Sequence, residues 1–265
     1  MKFCSLSSGS SGNCQYIEYK DTKILIDAGL SGKSTDALLK SIEVDPREID
    51  AIFITHEHTD HIMGAGILSR KYDIPIFANG ETWEAMAPKL KKLDTKNIKE
   101  FRIEEEFYFK DIFVRPVPIF HDAANPNGYI FEAEGKKISV ITDTGWINTQ
   151  MREMMENSNI YFLESNHDVE MLKNGSYPWP LKQRVLSTRG HLSNENSAEV
   201  IRQLARGNGE IIVLSHLSQD NNTPELAYKN MYDTLKGMGI EVEIGAAKLE
   251  IAPRYTPCEF YSIRR

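Results

Sequence analysis

The stretch ITHEHTDH, residues 54–61, concentrates histidine in a chain that has little of it. It holds three of the seven histidines, His56, His58 and His61, together with Asp60. His56 and His58 are two residues apart, so an extended backbone turns both side chains to the same side. Imidazole and carboxylate side chains in this mixture suit Zn²⁺, Mn²⁺ or Fe²⁺. The alternative is a solvated polar loop that happens to be rich in histidine.

Three further candidate ligands each follow an apolar run. His121 comes after PVPIF, Asp143 after ISVIT and His216 after EIIVLS. Strand ends gather at one edge of a sheet, where rigid elements can direct several ligands to one point. The adjacent ligand pairs predict two divalent metal ions, with Asp143 as the bridge between them. One ion takes His56, His58 and His121, and the other takes Asp60, His61 and His216.

Short strand patterns alternate with helical patterns along the chain, and no long linker or repeat separates them. Strands are predicted from runs such as AIFIT, IYFLES and EIIVLS, and helices from HIMGAGILSRKY (61–72), NENSAEVIRQLA (194–205) and TPELAYKNMYDTLKGMG (223–239). This pattern predicts one domain over residues 1–265, with two sheets packed together and helices outside.

The composition limits the classes of protein to which the chain can belong. It is 41% hydrophobic and 26% charged, with a formal net charge of −7, which argues against a surface coated in basic charge for nucleic acid. No apolar run approaches the roughly 20 residues that cross a bilayer. The first residues lack the apolar core of a signal peptide. We therefore expect a cytoplasmic protein, with Cys4, Cys14 and Cys258 as reduced thiols.

The motif HxHxDH, standing here at residues 56–61, is the signature of the metallo-β-lactamase superfamily, which the whole chain resembles. The resemblance implies an α/β (α+β) fold, a four-layer αββα sandwich with a dinuclear site at one edge of its sheets. It also implies that His121, Asp143 and His216 are the later ligands. Asp27, in LIDAG, matches an early aspartate that supports the metal loop from behind. Its alternative role is to form a turn before Gly29.

Differences among branches of the superfamily narrow the activity. Common β-lactamases have a cysteine ligand and lack the last histidine of the motif, whereas this chain has Asp143 and His61 at those places. Flavodiiron oxygen reductases have Glu where this chain has His58. The remaining branches are hydrolases similar to glyoxalase II, RNase Z or nucleases.

Glu164 in FLESNHD and His191 in RGHLSN favour the nucleases, because RNase Z-like phosphodiesterases have a Glu and a His in this order. A protonated histidine can supply the proton of a departing alkoxide, and a carboxylate beside it fixes its tautomer and raises its pKa. The alternative is a strand-end glutamate and a histidine at the start of a helix. His167, in the same segment, is expected to be structural or to support a ligand.

The segments FCSLSSGSSGNCQYIE and YPWPLKQRVLSTRGHLSN resemble the YycJ/WalJ family of bacterial exonucleases. This resemblance implies a DNA exonuclease working from 5′ to 3′. The loop SSGSSGN offers Ser10, Ser11 and Asn13 to a phosphate, or it is only a flexible turn. Lys182 and Arg184, with Arg189, are candidate phosphate contacts, although surface cations of this kind are common.

These observations predict a dinuclear metal-dependent phosphodiesterase that uses a metal-bridging hydroxide on nucleic acid, most specifically DNA. The alternative on the same fold is a small-molecule phosphodiesterase or a glyoxalase II-like thioester hydrolase. A third hypothesis is a partner-binding protein without catalysis, which the complete ligand set argues against.

The ligand set predicts the metal content. Elemental analysis of the purified protein, reconstituted with Zn²⁺ or Mn²⁺, should find up to about two ions per chain, the number that the ligand pairs allow. A protein that retains only trace metal after reconstitution would contradict the dinuclear site.

Overall fold

A computed structural model describes residues 1–263. The strands are β1 Lys2–Ser7, β2 Cys14–Tyr19, β3 Thr22–Ile26, β4 Ala51–Phe53, β5 Ile76–Asn79, β6 Ile98–Phe101, β7 Phe107–Phe109, β8 Ile112–Pro118, β9 Asn127–Ala133, β10 Lys136–Ile141, β11 Ile160–Glu164, β12 Glu210–Ser215, β13 Ala247–Ile251 and β14 Tyr261–Ser262. The helices are α1 Gly32–Ser41, α2 Thr59–Ile62, α3 Ala65–Tyr72, α4 Gly80–Leu90, α5 Thr149–Met155, α6 Val169–Asn174, α7 Trp179–Val185, α8 Asn194–Leu204 and α9 Pro224–Gly237.

The strands within residues 1–263 form two seven-stranded sheets. The first has the order β14-β1-β2-β3-β4-β5-β6, and the second β13-β12-β11-β10-β9-β8-β7. Both are mixed: β3 to β6 run parallel in the first sheet, and β10 to β13 run parallel in the second. Since parallel strands end at the same edge, each sheet collects the residues that follow its parallel strands, as the sequence predicted.

The backbone divides into two compact units. The first unit comprises residues 1–116, 123–127 and those from 253 onward, and it holds the first sheet with α1 to α4. The second unit comprises residues 117–122 and 128–252, and it holds β10 to β13 with α5 to α9. The single domain expected over residues 1–265 stays a prediction.

Each unit has its own apolar core. In the second unit, β10, β11 and β12 are almost wholly buried, which explains their continuous apolar sequences. Helices α8 and α9 pack there by their apolar faces, including Ile201 and Leu235. Their first turns are capped by side chains, Ser193 for α8 and Thr223 for α9. In the first unit, Leu25, Ile52 and Ile76 from three parallel strands share a core with α1, α3 and α4.

Three segments of the first unit interlock beside the HxHxDH motif. The Asn13 amide donates to the Asp60 carbonyl (2.8 Å), and the Gly29 amide donates to the Asn13 carbonyl (2.9 Å). The Ala28 amide donates to the His61 carbonyl (2.8 Å). These backbone bonds fix the loop after β1 and the turn after β3 against the start of α2. The backbones approach so closely that only glycine fits at residue 29.

The prediction of one continuous helix over residues 61–72 is wrong, because two helices, α2 and α3, occupy this stretch. The break falls at Gly64, whose amide donates to the Ala28 carbonyl (2.7 Å). A Cβ at this position would lie 2.4 Å from the Leu30 carbonyl oxygen. The chain therefore bends where its backbone meets the turn after β3, a contact that helical periodicity does not reveal.

The cysteines are free, as expected: this holds for Cys4, Cys14 and Cys258. The sulfur of Cys4 lies 4.0 Å from that of Cys258. Among the described helices, none has the length and apolar character needed to cross a bilayer.

Gly29 provides a stability test of the interlocked segments. Gly29→Ala places a Cβ 1.6 Å from the Asp60 carbonyl oxygen, so backbone must move. We expect the free energy of unfolding to fall by about 3 kcal/mol or more, measured by urea denaturation. Gly237→Ala is the matched control, because no described atom outside the adjoining residues and the backbone of its own helix lies within 4 Å of its added Cβ. Equal stabilities of the two variants would contradict the close approach.

Candidate metal centre and catalytic residues

The first unit contributes a cluster that we call the motif cluster: His56, His58, Asp60 and His61. The motif begins three residues after β4 and continues into α2. His56 and His61 are buried, whereas Asp60 retains 25% of its side-chain exposure. The His56 Nε2 atom lies 3.1 Å from the His58 Nδ1 atom. Two imidazole nitrogens therefore face one another, as they do when both are directed at one point.

Asp27 and Thr55 orient the imidazoles of the motif cluster. The Asp27 carboxylate accepts the Thr55 amide (2.8 Å) and hydroxyl (2.9 Å), and its Oδ2 atom lies 2.7 Å from His61 Nδ1. The Thr55 hydroxyl also lies 3.0 Å from His56 Nδ1. With both Nδ1 atoms engaged, the Nε2 atoms of His56 and His61 are directed away from the support. This is the arrangement that orients metal-ligating histidines, and it confirms the supporting position predicted for Asp27.

Burial raises the pKa of Asp27, and the neighbouring His61 and Thr55 oppose that rise. Asp27 also has a left-handed backbone, with φ of 58°. A non-glycine residue in this conformation is uncommon and costs energy that the surrounding contacts must supply. Here the turn after β3 brings the carboxylate under the motif.

The loop SSGSSGN, residues 7–13, contacts the motif cluster through Asn13, one of its three predicted phosphate-binding residues. The Asn13 Nδ2 atom lies 3.1 Å from His61 Nε2 and 3.3 Å from Asp60 Oδ2, while its Oδ1 atom accepts the Gly9 amide. Ser10 and Ser11 are exposed. Asn13 therefore sits beside two candidate ligands, a contact the sequence did not specify.

The second unit contributes a cluster that we call the strand-end cluster: His121, Asp143, Glu164, His191 and His216. Asp143, Glu164 and His216 stand at the carboxyl ends of the parallel strands β10, β11 and β12. Ligating atoms of these three residues and of His191 all lie within 4.8 Å of one another. Asp143 and His216 have left-handed backbones, with φ of 56° and 53°. The backbone therefore turns sharply after β10 and after β12, and the side chains of Asp143 and His216 lie at that edge of the second sheet.

Glu164 holds two histidines at once. Its Oε1 atom lies 2.8 Å from His191 Nδ1 and 2.7 Å from His216 Nδ1. Its Oε2 atom accepts the backbone amides of Thr144 and Leu192, each at 3.1 Å. The contact with His191 confirms the predicted pairing. The contact with His216 was not anticipated, since nothing in the sequence shows that β11 and β12 are neighbours.

The charges of these groups depend on one another. Burial alone would raise the pKa of Glu164, but His191 and His216 lower it well below its ordinary value. Burial disfavours a proton on His191, yet the Glu164 carboxylate outweighs this effect and raises the pKa of His191. The His191 side chain keeps 20% of its surface exposed. A histidine that retains its proton and reaches the surface is suited to general acid catalysis.

His121 and His167 differ in their surroundings. The His121 Nδ1 atom lies 3.3 Å from the Gly190 carbonyl oxygen, and its Nε2 atom lies 4.0 Å from Asp143 Oδ1. Burial lowers the pKa of His121, which favours the neutral form that binds metal. His167 is buried, and burial lowers its pKa to about 4. Its backbone bridges to Ser193 just before α8, which agrees with a structural role.

The predicted basic residues of the second unit are each engaged with the protein. The Lys182 ammonium donates to the carbonyls of Lys173 and Gly175 (2.7 Å each). The Arg184 guanidinium pairs with Asp122 (2.5 Å). The Arg189 guanidinium donates to the His121 carbonyl oxygen (3.0 and 3.2 Å). Their phosphate contacts stay predictions.

Comparison with known proteins places the chain in a family. A model described as a beta-lactamase superfamily domain matches residues 22–217. The chain is 42% identical to exodeoxyribonuclease YycJ of Bacillus anthracis over 242 residues, which are 91% of this chain and 92% of that protein. It is 43% identical to exodeoxyribonuclease WalJ of Streptococcus pneumoniae over 249 residues, 92% and 93% of the two chains. This chain belongs to the beta-lactamase superfamily, in its YycJ/WalJ family.

The fold agrees with that membership. The crystal structure of YhfI from Bacillus subtilis, a metallo-beta-lactamase fold protein, matches with a TM-score of 0.69 at 15% identity and covers 97% of this chain and 98% of that one. The predicted fold class is therefore confirmed. As a YycJ/WalJ family member, the protein is a metal-dependent hydrolase, as predicted.

Divalent metal ions suit the donors found in both clusters of this superfamily member. The clusters present imidazole nitrogens and carboxylate oxygens and no thiolate, a set typical of Zn²⁺, Mn²⁺ or Fe²⁺. In each unit a buried carboxylate holds Nδ1 of a candidate ligand histidine: Asp27 holds His61, and Glu164 holds His216. Such supports keep the ligand in one tautomer and one orientation.

Glu164→Gln tests the double contact. The amide keeps the shape but removes the charge, and its NH₂ group must face either the imidazole N–H groups or the backbone amides of Thr144 and Leu192, none of which can accept a bond from it. Because His216 loses its support, we expect metal affinity to fall about 10- to 100-fold, the usual effect of such a change. Metal-competition titration with a chelator measures it, and Glu195→Gln, an exposed position in α8, serves as the control. Unchanged metal affinity in Glu164→Gln would contradict the supporting role of Glu164.

Proposed function

We propose that this protein is a metal-dependent nuclease, specifically a DNA exonuclease that works from 5′ to 3′. The observation that carries the proposal is the similarity to two exodeoxyribonucleases over more than nine-tenths of the chain. The contact between His191 and Glu164 supports it, because it supplies a proton donor suited to an alkoxide leaving group.

The proposed metal ligands are those of the sequence prediction: His56, His58 and His121 for one ion, and Asp60, His61 and His216 for the other, with Asp143 shared. The orientation of imidazoles within each unit supports this assignment. Two divalent ions bound there would activate a water molecule and neutralise charge on the phosphoryl oxygens.

The remaining catalytic roles belong to three side chains: Asp60, His191 and Glu164. Asp60, which is partly exposed, orients the attacking water through its carboxylate. His191 donates a proton from Nε2 to the departing oxygen, because its Nδ1 atom is engaged by Glu164. Glu164 stabilises the imidazolium before transfer and holds the ring in place afterwards. The negative charge that develops on the leaving oxygen is thus removed by a group already positioned beside it.

Substrate contacts remain proposals for Ser10, Ser11, Asn13, Lys182 and Arg184. The exposure of the two serines leaves their hydroxyls accessible to a phosphate. Asn13 is placed beside Asp60, so it would contact the substrate close to the reacting phosphorus. Arg184 exchanges its pairing with Asp122 for a phosphate if it binds substrate.

The activity is tested with the purified protein, Mn²⁺ or Zn²⁺, and end-labelled single- and double-stranded DNA and RNA. The proposal expects stepwise release of nucleotides from the 5′ end of DNA. Turnover of bis-p-nitrophenyl phosphate without cleavage of DNA or RNA would favour a small-molecule phosphodiesterase. Turnover of a glutathione thioester would favour the thioesterase alternative.

His191→Ala tests the proton donor. We expect kcat on DNA to fall by roughly 10²- to 10⁴-fold, the range typical of general acid catalysis. The loss on a p-nitrophenyl ester should be much smaller, since that leaving group departs without a proton. Metal content is the control measurement: if His191→Ala loses metal, His191 is a ligand. If both substrates lose activity equally with the metal intact, His191 is not the acid.

A further inference from the structure

Three of the exposed apolar side chains of the second unit lie close in sequence to residues of the strand-end cluster, and the proposed chemistry does not use them. They are Phe120 (38% exposed), Trp146 (51%) and Leu186 (40%), and we call them the apolar patch. Single exposed apolar side chains are common, whereas several on adjoining segments often mark a binding site. Tryptophan is also the residue type most enriched where binding energy concentrates.

The segments that carry the patch lie against one another. The Gly145 amide donates to the Phe120 carbonyl (3.1 Å), and the Phe120 amide donates to the Thr144 hydroxyl (3.2 Å). A Cβ on Gly145 would lie 2.3 Å from the Ser187 carbonyl oxygen. Backbone contact therefore joins the residues next to Trp146 with those next to Phe120 and Leu186.

The same segments carry residues of the strand-end cluster. Phe120 directly precedes His121, and Trp146 comes three residues after Asp143. Leu186 lies in the stretch that leads to His191, and the Arg189 guanidinium of that stretch donates to the His121 carbonyl oxygen. The apolar patch is therefore fixed to the backbone that positions the candidate catalytic groups.

The stretch that carries Leu186 is basic, although the whole chain is acidic and Arg184 pairs with Asp122, two residues after Phe120. Residues 179–191 contain Lys182, Arg184 and Arg189 and no carboxylate, in a chain with a net charge of −7. Arg184 and Arg189 are exposed. Surfaces that bind single-stranded nucleic acid combine exposed aromatic rings with cations, because bases stack on the rings and phosphates pair with the cations. A paired base inside a duplex presents no free face to such a ring.

We propose that the apolar patch is a stacking platform for an unpaired base next to the scissile phosphodiester, with Trp146 as its main contact. The enzyme thus takes a single-stranded or frayed end of the nucleic acid. This inference rests on the proposed nuclease function and names the form of the substrate. Arg184 and Arg189 hold the adjoining phosphates.

The test compares Trp146→Ala, Trp146→Phe and the control Tyr108→Ala, which removes a ring that is 72% exposed on β7. The substrates are oligothymidylate and the same strand lacking the base at its terminal nucleotides, with bis-p-nitrophenyl phosphate as the reference. Trp146→Ala should lower kcat/KM on oligothymidylate, relative to the reference, by roughly 5- to 150-fold, the value of one stacked base. Trp146→Phe should retain most of the activity, and Tyr108→Ala all of it.

The abasic strand separates stacking from a structural role. Removal of the base should lower wild-type kcat/KM by a similar factor, and combining it with Trp146→Ala should add little, because both changes remove one contact. A second readout is the tryptophan fluorescence of the Trp179→Phe variant, whose remaining tryptophans are the exposed Trp146 and the buried Trp83. A phosphorothioate oligothymidylate should quench this fluorescence, and the quenching should be lost when Trp146→Phe is added.

Three results would overturn the platform. If Trp146→Ala cleaves oligothymidylate as fast as wild type does, Trp146 is not the main contact of the base. Equal losses from Trp146→Ala on the normal and abasic strands mean that the ring does not touch the base. A wild-type enzyme that turns over bis-p-nitrophenyl phosphate but cleaves and binds no oligonucleotide refutes the nuclease function itself, and the platform with it.

Discussion

One buried carboxylate governs the geometry of the second unit. Within residues 1–263, the Glu164 side chain accepts bonds from two imidazoles and two backbone amides. Such a group is costly to bury unless it is fully bonded. The bonds come from three segments, at Thr144, Leu192 and His216, so the carboxylate is satisfied only when all three are in place. The position of the candidate proton donor and that of a candidate metal ligand are therefore coupled through one side chain.

In the first unit a different buried carboxylate, that of Asp27, contacts a histidine. Asp27 accepts two bonds from Thr55 and contacts His61, and Gly29, two residues later, allows the backbone of the motif to approach. In both units a carboxylate at a strand end holds Nδ1 of a histidine. A metal ligand requires a fixed tautomer, and a rigid strand end supplies it better than a free loop does.

The double role of Glu164 changes how mutational data on this enzyme should be interpreted. Under the proposed function, a loss of activity in a Glu164 variant would combine weaker metal binding through His216 with a misplaced proton donor at His191. The two effects separate only when metal content and leaving-group dependence are measured together. His191 variants are simpler to interpret, because the ring contacts the carboxylate and is not among the proposed ligands.

The sequence by itself determined the candidate ligands, the family and most of the strands and helices. These follow from local patterns: the spacing of His56 and His58, the apolar runs, and the polar residue after each run. Short elements were missed, among them β6 with its exposed Lys99 and Glu100, and β13, because each forms by pairing with a neighbouring strand and has no strong pattern of its own. Tertiary structure alone decided that Gly64 breaks a helix and that Glu164 reaches His216, since both depend on contacts between segments distant in the chain.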